Sequence, residues 1–81
     1  MKVKAAIFYK GFIAYYSIYL IERGFFKAKL DSYRGELTPP LLVELNGSAG
    51  AWNSDCREEE VVKELGAAIS QNEDFFYRIA S

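Results

Sequence analysis

An 81-residue chain with one cysteine and no histidine is a single domain, residues 1–81, that can form no internal disulfide and lacks the commonest general base and metal ligand. Its formal charge of −1 hides a dipolar chain: Met1 to Gly35 carries seven basic residues against two acidic, and Glu36 to Ser81 carries three against nine. At 51% hydrophobic and 16% aromatic it is apolar enough to fold without staples, although a chain this short buries only roughly 60% of its unfolded surface and its stability is marginal.

The first residues, Met1-Lys2-Val3-Lys4-Ala5, begin like a signal peptide, but Lys10-Gly11 breaks the apolar stretch and no cleavage-like end follows. The longest uncharged run, Gly11 to Ile21, is about half of the ~20 residues that a membrane helix needs. The expected setting is therefore cytoplasmic, away from the membrane, and the glycosylation-like Asn46-Gly47-Ser48 is read as accidental.

Three runs rich in β-branched and aromatic residues follow: Val3–Tyr9, Phe12–Ile21 and Phe25–Ser32. Lys10-Gly11 between the first two is a two-residue hairpin signal. Glu22-Arg23-Gly24 fits a three-residue loop with Gly24 in the left-handed position. These loop lengths set the register. Tyr9 faces Phe12, Ile7 faces Ala14, Ala5 faces Tyr16 and Val3 faces Ile18; then Leu20 faces Phe26, Ile18 faces Ala28 and Tyr16 faces Leu30. One face so collects Val3, Ala5, Ile7, Tyr9, Ala14, Tyr16, Ile18, Leu20, Phe26, Ala28 and Leu30 as a core. The other collects Lys2, Lys4, Tyr15, Ser17, Tyr19, Lys27, Lys29 and Asp31 as a wet face. Slipping the third strand by one would bury Lys27 and Lys29 beside Leu20 and Ile18, at the cost of unpaired ammonium groups.

Arg34-Gly35-Glu36 and Thr38-Pro39-Pro40 form a loop, because two prolines cannot sit in a central strand. Leu41–Leu45 is expected as a fourth strand, with Leu41, Val43 and Leu45 on one face, and Asn46-Gly47 as the turn after it. Gly50–Asn53 is a candidate fifth strand carrying Trp52. Asp55 is expected to cap a helix, with Glu58 completing a capping box, Glu59 and Glu60 at the positive end of the helix dipole, and an apolar stripe of Val61, Val62, Leu65, Ala68 and Ile69 ending near Ser70. Asn72 is placed to cap a second short helix, Glu73 to Ile79, with Phe75, Phe76 and Ile79 on its apolar side. The fold class is α+β: a four- or five-stranded, mainly antiparallel meander with one main C-terminal helix on one face.

Chemistry is sparse. Cys56 lies at the helix start, where the dipole lowers a thiol pKa, but Asp55, Glu58, Glu59 and Glu60 push the other way and no histidine can activate it. Glu58, Glu59, Glu60 and Glu64 read as a solvated helix face and not as a metal or acid–base site. Asn46-Gly47-Ser48-Ala49-Gly50 lacks the Lys-Ser/Thr ending of a phosphate loop. No catalytic, cofactor-binding or metal-binding residue is assigned, and no enzyme activity is expected.

The constellation that invites a function is Lys2, Lys4, Tyr15, Tyr19, Lys27 and Lys29 on the wet face. Trp52 is a further contact candidate, either folded back beneath the helix or lining a groove with Tyr33 and Arg34. Lysines neutralise phosphates and tyrosines stack on bases, so single-stranded nucleic acid is one ligand class. A pI near 5.4 and the lack of a glycine-aromatic ribonucleoprotein motif weigh against it. The other class is a protein partner, a second copy included, because the acidic helix complements the basic face. A two-fold contact through Phe75, Phe76 and Tyr77 or through a strand edge is the alternative geometry. Gly24-Phe25-Phe26-Lys27-Ala28-Lys29-Leu30-Asp31-Ser32-Tyr33, then Pro39-Pro40, then Trp52 ahead of an acidic-start helix, resembles the layout of a group of small bacterial single-domain proteins. That resemblance spans roughly Val3 to Ser70. It implies a sheet-plus-helix domain of unknown function and lends no functional residue. The sequence therefore points to a non-catalytic binding or interaction domain, with nucleic-acid binding as the alternative.

Overall fold

The computed structural model of the chain describes residues 2–48 and 51–72. Five strands, β1 (Lys2–Tyr9), β2 (Phe12–Glu22), β3 (Phe25–Ser32), β4 (Leu42–Ser48) and β5 (Ala51–Asn53), precede one helix, α1 (Glu59–Gln71). The strands form one antiparallel meander in the order β1-β2-β3-β4-β5. The α+β architecture expected from the pattern is the one observed.

The turns explain the register. Lys10 and Gly11 both take positive φ, 50° and 86°, as a two-residue turn that matches strand twist requires. Tyr9 therefore pairs with Phe12 and the ladder runs without a shift to Lys2 opposite Tyr19. The second turn is Arg23-Gly24 and not the expected three-residue Glu22-Arg23-Gly24: Gly24 has φ 77°, Glu22 belongs to β2 and pairs with Phe25, and Ile21, an extra residue in β2 between Leu20 and Glu22, restores the expected register. Every pair expected across these two turns is present. A second irregularity between Tyr15 and Tyr16 places Asp31 as an extra residue in β3.

The core lies between one sheet face and α1. It holds Ile7, Ala14, Tyr16, Ile18, Phe26, Ala28, Val43, Leu45, Val61, Leu65 and Ile69, with Val3, Ala5, Tyr9, Leu20 and Leu30 half-buried at its margin. Burial of a side chain such as Ile18, Leu45 or Leu65 stabilises the fold by roughly 1.5–3 kcal/mol each. Tyr16 is completely buried, and its hydroxyl donates to the Pro40 carbonyl at 2.7 Å. Burial raises its pKa well above the ordinary phenol value, so it stays a neutral donor. The Pro39-Pro40 loop is thereby fastened over the end of the core.

Four further expectations are corrected. Leu41 is 68% exposed and precedes β4; its carbonyl accepts from Leu30 N, and the buried face of β4 is Val43 and Leu45. Asn46-Gly47 is strand and not turn, pairing with Asn53 and Trp52, because Gly47 at φ 144° also donates its N–H to Gly24 O at 2.8 Å. Asp55 does not cap the helix. Glu58 occupies the cap position without a side-chain cap bond, since its carboxylate accepts from Tyr9 Oη at 3.1 Å, while Ser54 Oγ accepts from Cys56 N. Ser17, read as wet, is buried. The expected second helix with Phe75, Phe76 and Ile79 lies outside the described residues.

Candidate interaction surface

Helix α1 covers one face of the sheet and leaves the other open. Register places the residues of the open face in rows. Phe8 stands beside Ile13, then Ala6 beside Tyr15. The next row is Lys4, Ser17, Lys29 and Leu42, and the one after is Lys2, Tyr19, Lys27 and Glu44. Ile21 and Phe25 close the far end. The six sheet-face residues singled out from sequence, Lys2, Lys4, Tyr15, Tyr19, Lys27 and Lys29, thus share one surface.

The surface is more apolar than that set suggests. Phe8 is 66% exposed, Leu42 54%, Ile21 50% and Tyr15 49%, with Ile13 and Tyr19 exposed beside them. Phe8, Ile13, Ile21 and Leu42 are additions of the structure. A signal for them was present: Phe12–Ile21 carries no charge on either face, as do strands covered on both sides.

The polar centre of the face is a linked trio. Asp31 Oδ2 accepts from Ser17 Oγ at 2.6 Å and from Lys4 Nζ at 2.9 Å, so one carboxylate ties β1, β2 and β3. The Ser17 hydrogen bond, then the Lys4 ammonium, hold the Asp31 carboxyl below its ordinary value. Asp31 also covers the Ser17 hydroxyl, which is why Ser17 is only 1% exposed. Lys4–Asp31 is the one ion pair among the described residues, so Lys27 and Lys29 keep their charge for solvent or a ligand. Lys2 Nζ lies 6.0 Å from the centre of the Tyr19 ring, a distance at the margin of a cation–π contact.

Trp52 does not belong to this surface. It pairs with Gly47 on the helix-covered side, meets Phe26 edge to face at 5.6 Å, and lies against Gly66 of α1. Its Nε1 is buried without a hydrogen-bond partner among the described residues. Tyr33 forms no groove with it. Tyr33 Oη donates to Tyr9 O at 2.7 Å and its ring meets Tyr9 and Phe12 near the first turn. There burial, and then the hydrogen bond to Glu58, raise the Tyr9 pKa.

A groove of about 770 Å³ runs along α1 beside Trp52, Cys56, Val62 and Ala67. The Cys56 thiol is turned toward Glu58 O at 3.9 Å. Among the described residues no three Asp, Glu or Cys side chains are grouped to hold a metal ion, and no helix is long and apolar enough to cross a membrane. Protein-family models, curated proteins and solved structures give no match to this chain.

Proposed function

We propose that the protein is a small, non-catalytic interaction domain whose contact surface is the open sheet face, working in a reducing, cytoplasmic setting that suits its single cysteine. The observation that carries this reading is the exposure of Phe8, Ile13, Tyr15, Tyr19, Ile21 and Leu42 on one side of a single sheet. Exposed apolar side chains gathered on one sheet face among charged ones mark a place where another protein sits. Lys27 and Lys29, on the central strand of the face, and Lys2 on β1 favour an acidic partner surface.

The test is capture of partners by the wild-type protein and by an Ile13→Thr/Tyr15→Thr variant, followed by reconstitution with the purified partner. A defined partner bound by the first and lost by the second is expected. Identical binding by both would remove the open face from the reading.

A second reading, single-stranded nucleic acid, is favoured by Tyr15 and Tyr19 lying exposed with Lys27 and Lys29. Ile13, Ile21 and Leu42 count against it, since aliphatic side chains neither stack on bases nor neutralise phosphate. Titration with oligothymidine at low and high salt separates the two. Binding that collapses steeply with salt would favour nucleic acid.

A further inference from the structure

The sheet has two edges of unequal kind. β5 at one edge is three residues long, whereas β1 at the other is eight residues long, without proline, glycine or any register shift against β2. Natural sheets blunt long edges with such features and with charged side chains, lysine above all; of these β1 carries only Lys2 and Lys4, and Lys4 is paired with Asp31. Its hydrogen-bonding phase follows from the first turn. In a two-residue hairpin the flanking pair, Tyr9 and Phe12, exchanges both backbone bonds, and antiparallel pairs then alternate. Tyr9, Ile7, Ala5 and Val3 therefore direct their N–H and C=O groups to β2, and Lys2, Lys4, Ala6 and Phe8 direct theirs outward. Among the described residues no backbone group takes them.

We propose that a second copy of this chain pairs with β1 along this edge, antiparallel about a two-fold axis at Ala5. The register is selected by charge. Only outward-bonding residues can face each other, so the central choices are an axis at Lys4, at Ala5 or at Ala6. An axis at Lys4 sets the two Lys4 side chains opposite each other, and an axis at Ala6 sets Lys2 opposite the partner's Lys10. Cross-strand like charges are destabilising. An axis at Ala5 instead sets Lys2 against the partner's Phe8 and Lys4 against the partner's Ala6, and on the helix side Val3 against the partner's Ile7. The two Lys4 side chains are then diagonal neighbours, each already neutralised by its own Asp31 at 2.9 Å. Phe8, two-thirds exposed in one copy, gains the Lys2 methylene stem of the other to lie against. The product is a ten-stranded sheet with two open faces side by side. This contact shares Phe8 and Lys2 with the open face, but it rests on the backbone edge of β1 and stands or falls without the open-face reading.

Mass in solution, by light scattering of the full chain from micromolar to millimolar concentration, tests the pairing. A concentration-dependent dimer is expected. Phe8→Lys, which sets a lysine against Lys2 twice by symmetry, should weaken it roughly tenfold. Phe8→Glu removes the same ring but should keep the dimer, and Lys2→Glu combined with Phe8→Lys should restore it. Ala6→Pro deletes an outward N–H and should leave a folded monomer, checked by circular dichroism. Wild-type protein that stays monomeric throughout, or equal behaviour of Phe8→Lys and Phe8→Glu, would overturn the pairing. So would a dimer that dissociates with Lys29→Glu but survives Ala6→Pro, an outcome that places the contact on the open face.

Discussion

Gly66 is the position where a single atom decides the packing of the helix. A β-carbon built there would overlap Trp52 Cδ1 and lie 2.8 Å from Nε1. At an exposed helix position, Gly→Ala gains about 1 kcal/mol from propensity alone. Here the indole would have to leave its seat between Gly66 and Phe26, and overpacking of that kind costs typically 1–3 kcal/mol. Packing outweighs propensity, so Gly66→Ala should destabilise the protein by about 1 kcal/mol. Urea denaturation followed by the fluorescence of the one tryptophan measures it, and the native emission should shift to the red as the indole is displaced. A higher urea midpoint for the variant would show that Trp52 is not held by Gly66.

At the scale of elements, the Asp31 carboxylate joins three strands through Ser17 and Lys4, and this gives the sheet a pH dependence. The folded-state pKa of Asp31 lies below the ordinary value of about 3.8, so its contribution is present above that value and is lost as pH falls below it. Asp31→Asn should flatten the dependence of the urea midpoint on pH in the acid range, because an amide binds no proton there; an unchanged slope would remove Asp31 from the account. The bulge that puts Asp31 over Ser17 was not legible in the sequence, and alternation alone made Ser17 a wet residue. Strands β1 to β3 were legible because Lys10-Gly11 and Gly24 impose turn geometries that fix register over a whole hairpin. The start of α1 was not, because Asp55 and Glu58 form a good local capping box that a distant contact overrides: Tyr9 takes the Glu58 carboxylate. The strand through Asn46-Gly47 was missed for a like reason, since the turn preference of that dipeptide loses to pairing with β5 and to the Gly24 carbonyl. The lysines and tyrosines of the candidate surface were found by alternation. Phe8, Ile13, Ile21 and Leu42 were passed over because apolar residues were sought only where a core was expected.

For the molecule as a whole, the question is whether the apolar residues of the open face serve the fold or something outside it. The core is complete without them: Tyr16, Ile18, Phe26, Leu45, Leu65 and Ile69 are fully buried on the helix-covered side, whereas Ile13 and Tyr15 remain substantially exposed. Exposed substitutions away from special features change stability by only about 0.5 kcal/mol in either direction. Threonine keeps the β-branching that suits a strand while removing apolar area. Ile13→Thr with Tyr15→Thr should therefore lower stability by no more than about 1 kcal/mol, while the binding of a hydrophobic dye such as anilinonaphthalene sulfonate falls clearly. Stability maintained with dye and partner binding lost would place the cost of this exposed surface outside folding, in recognition. A steep fall in the urea midpoint would instead mean that the Phe8, Ile13 and Tyr15 cluster is a second small core of the β1–β2 hairpin, and the open face would lose its standing as a contact surface.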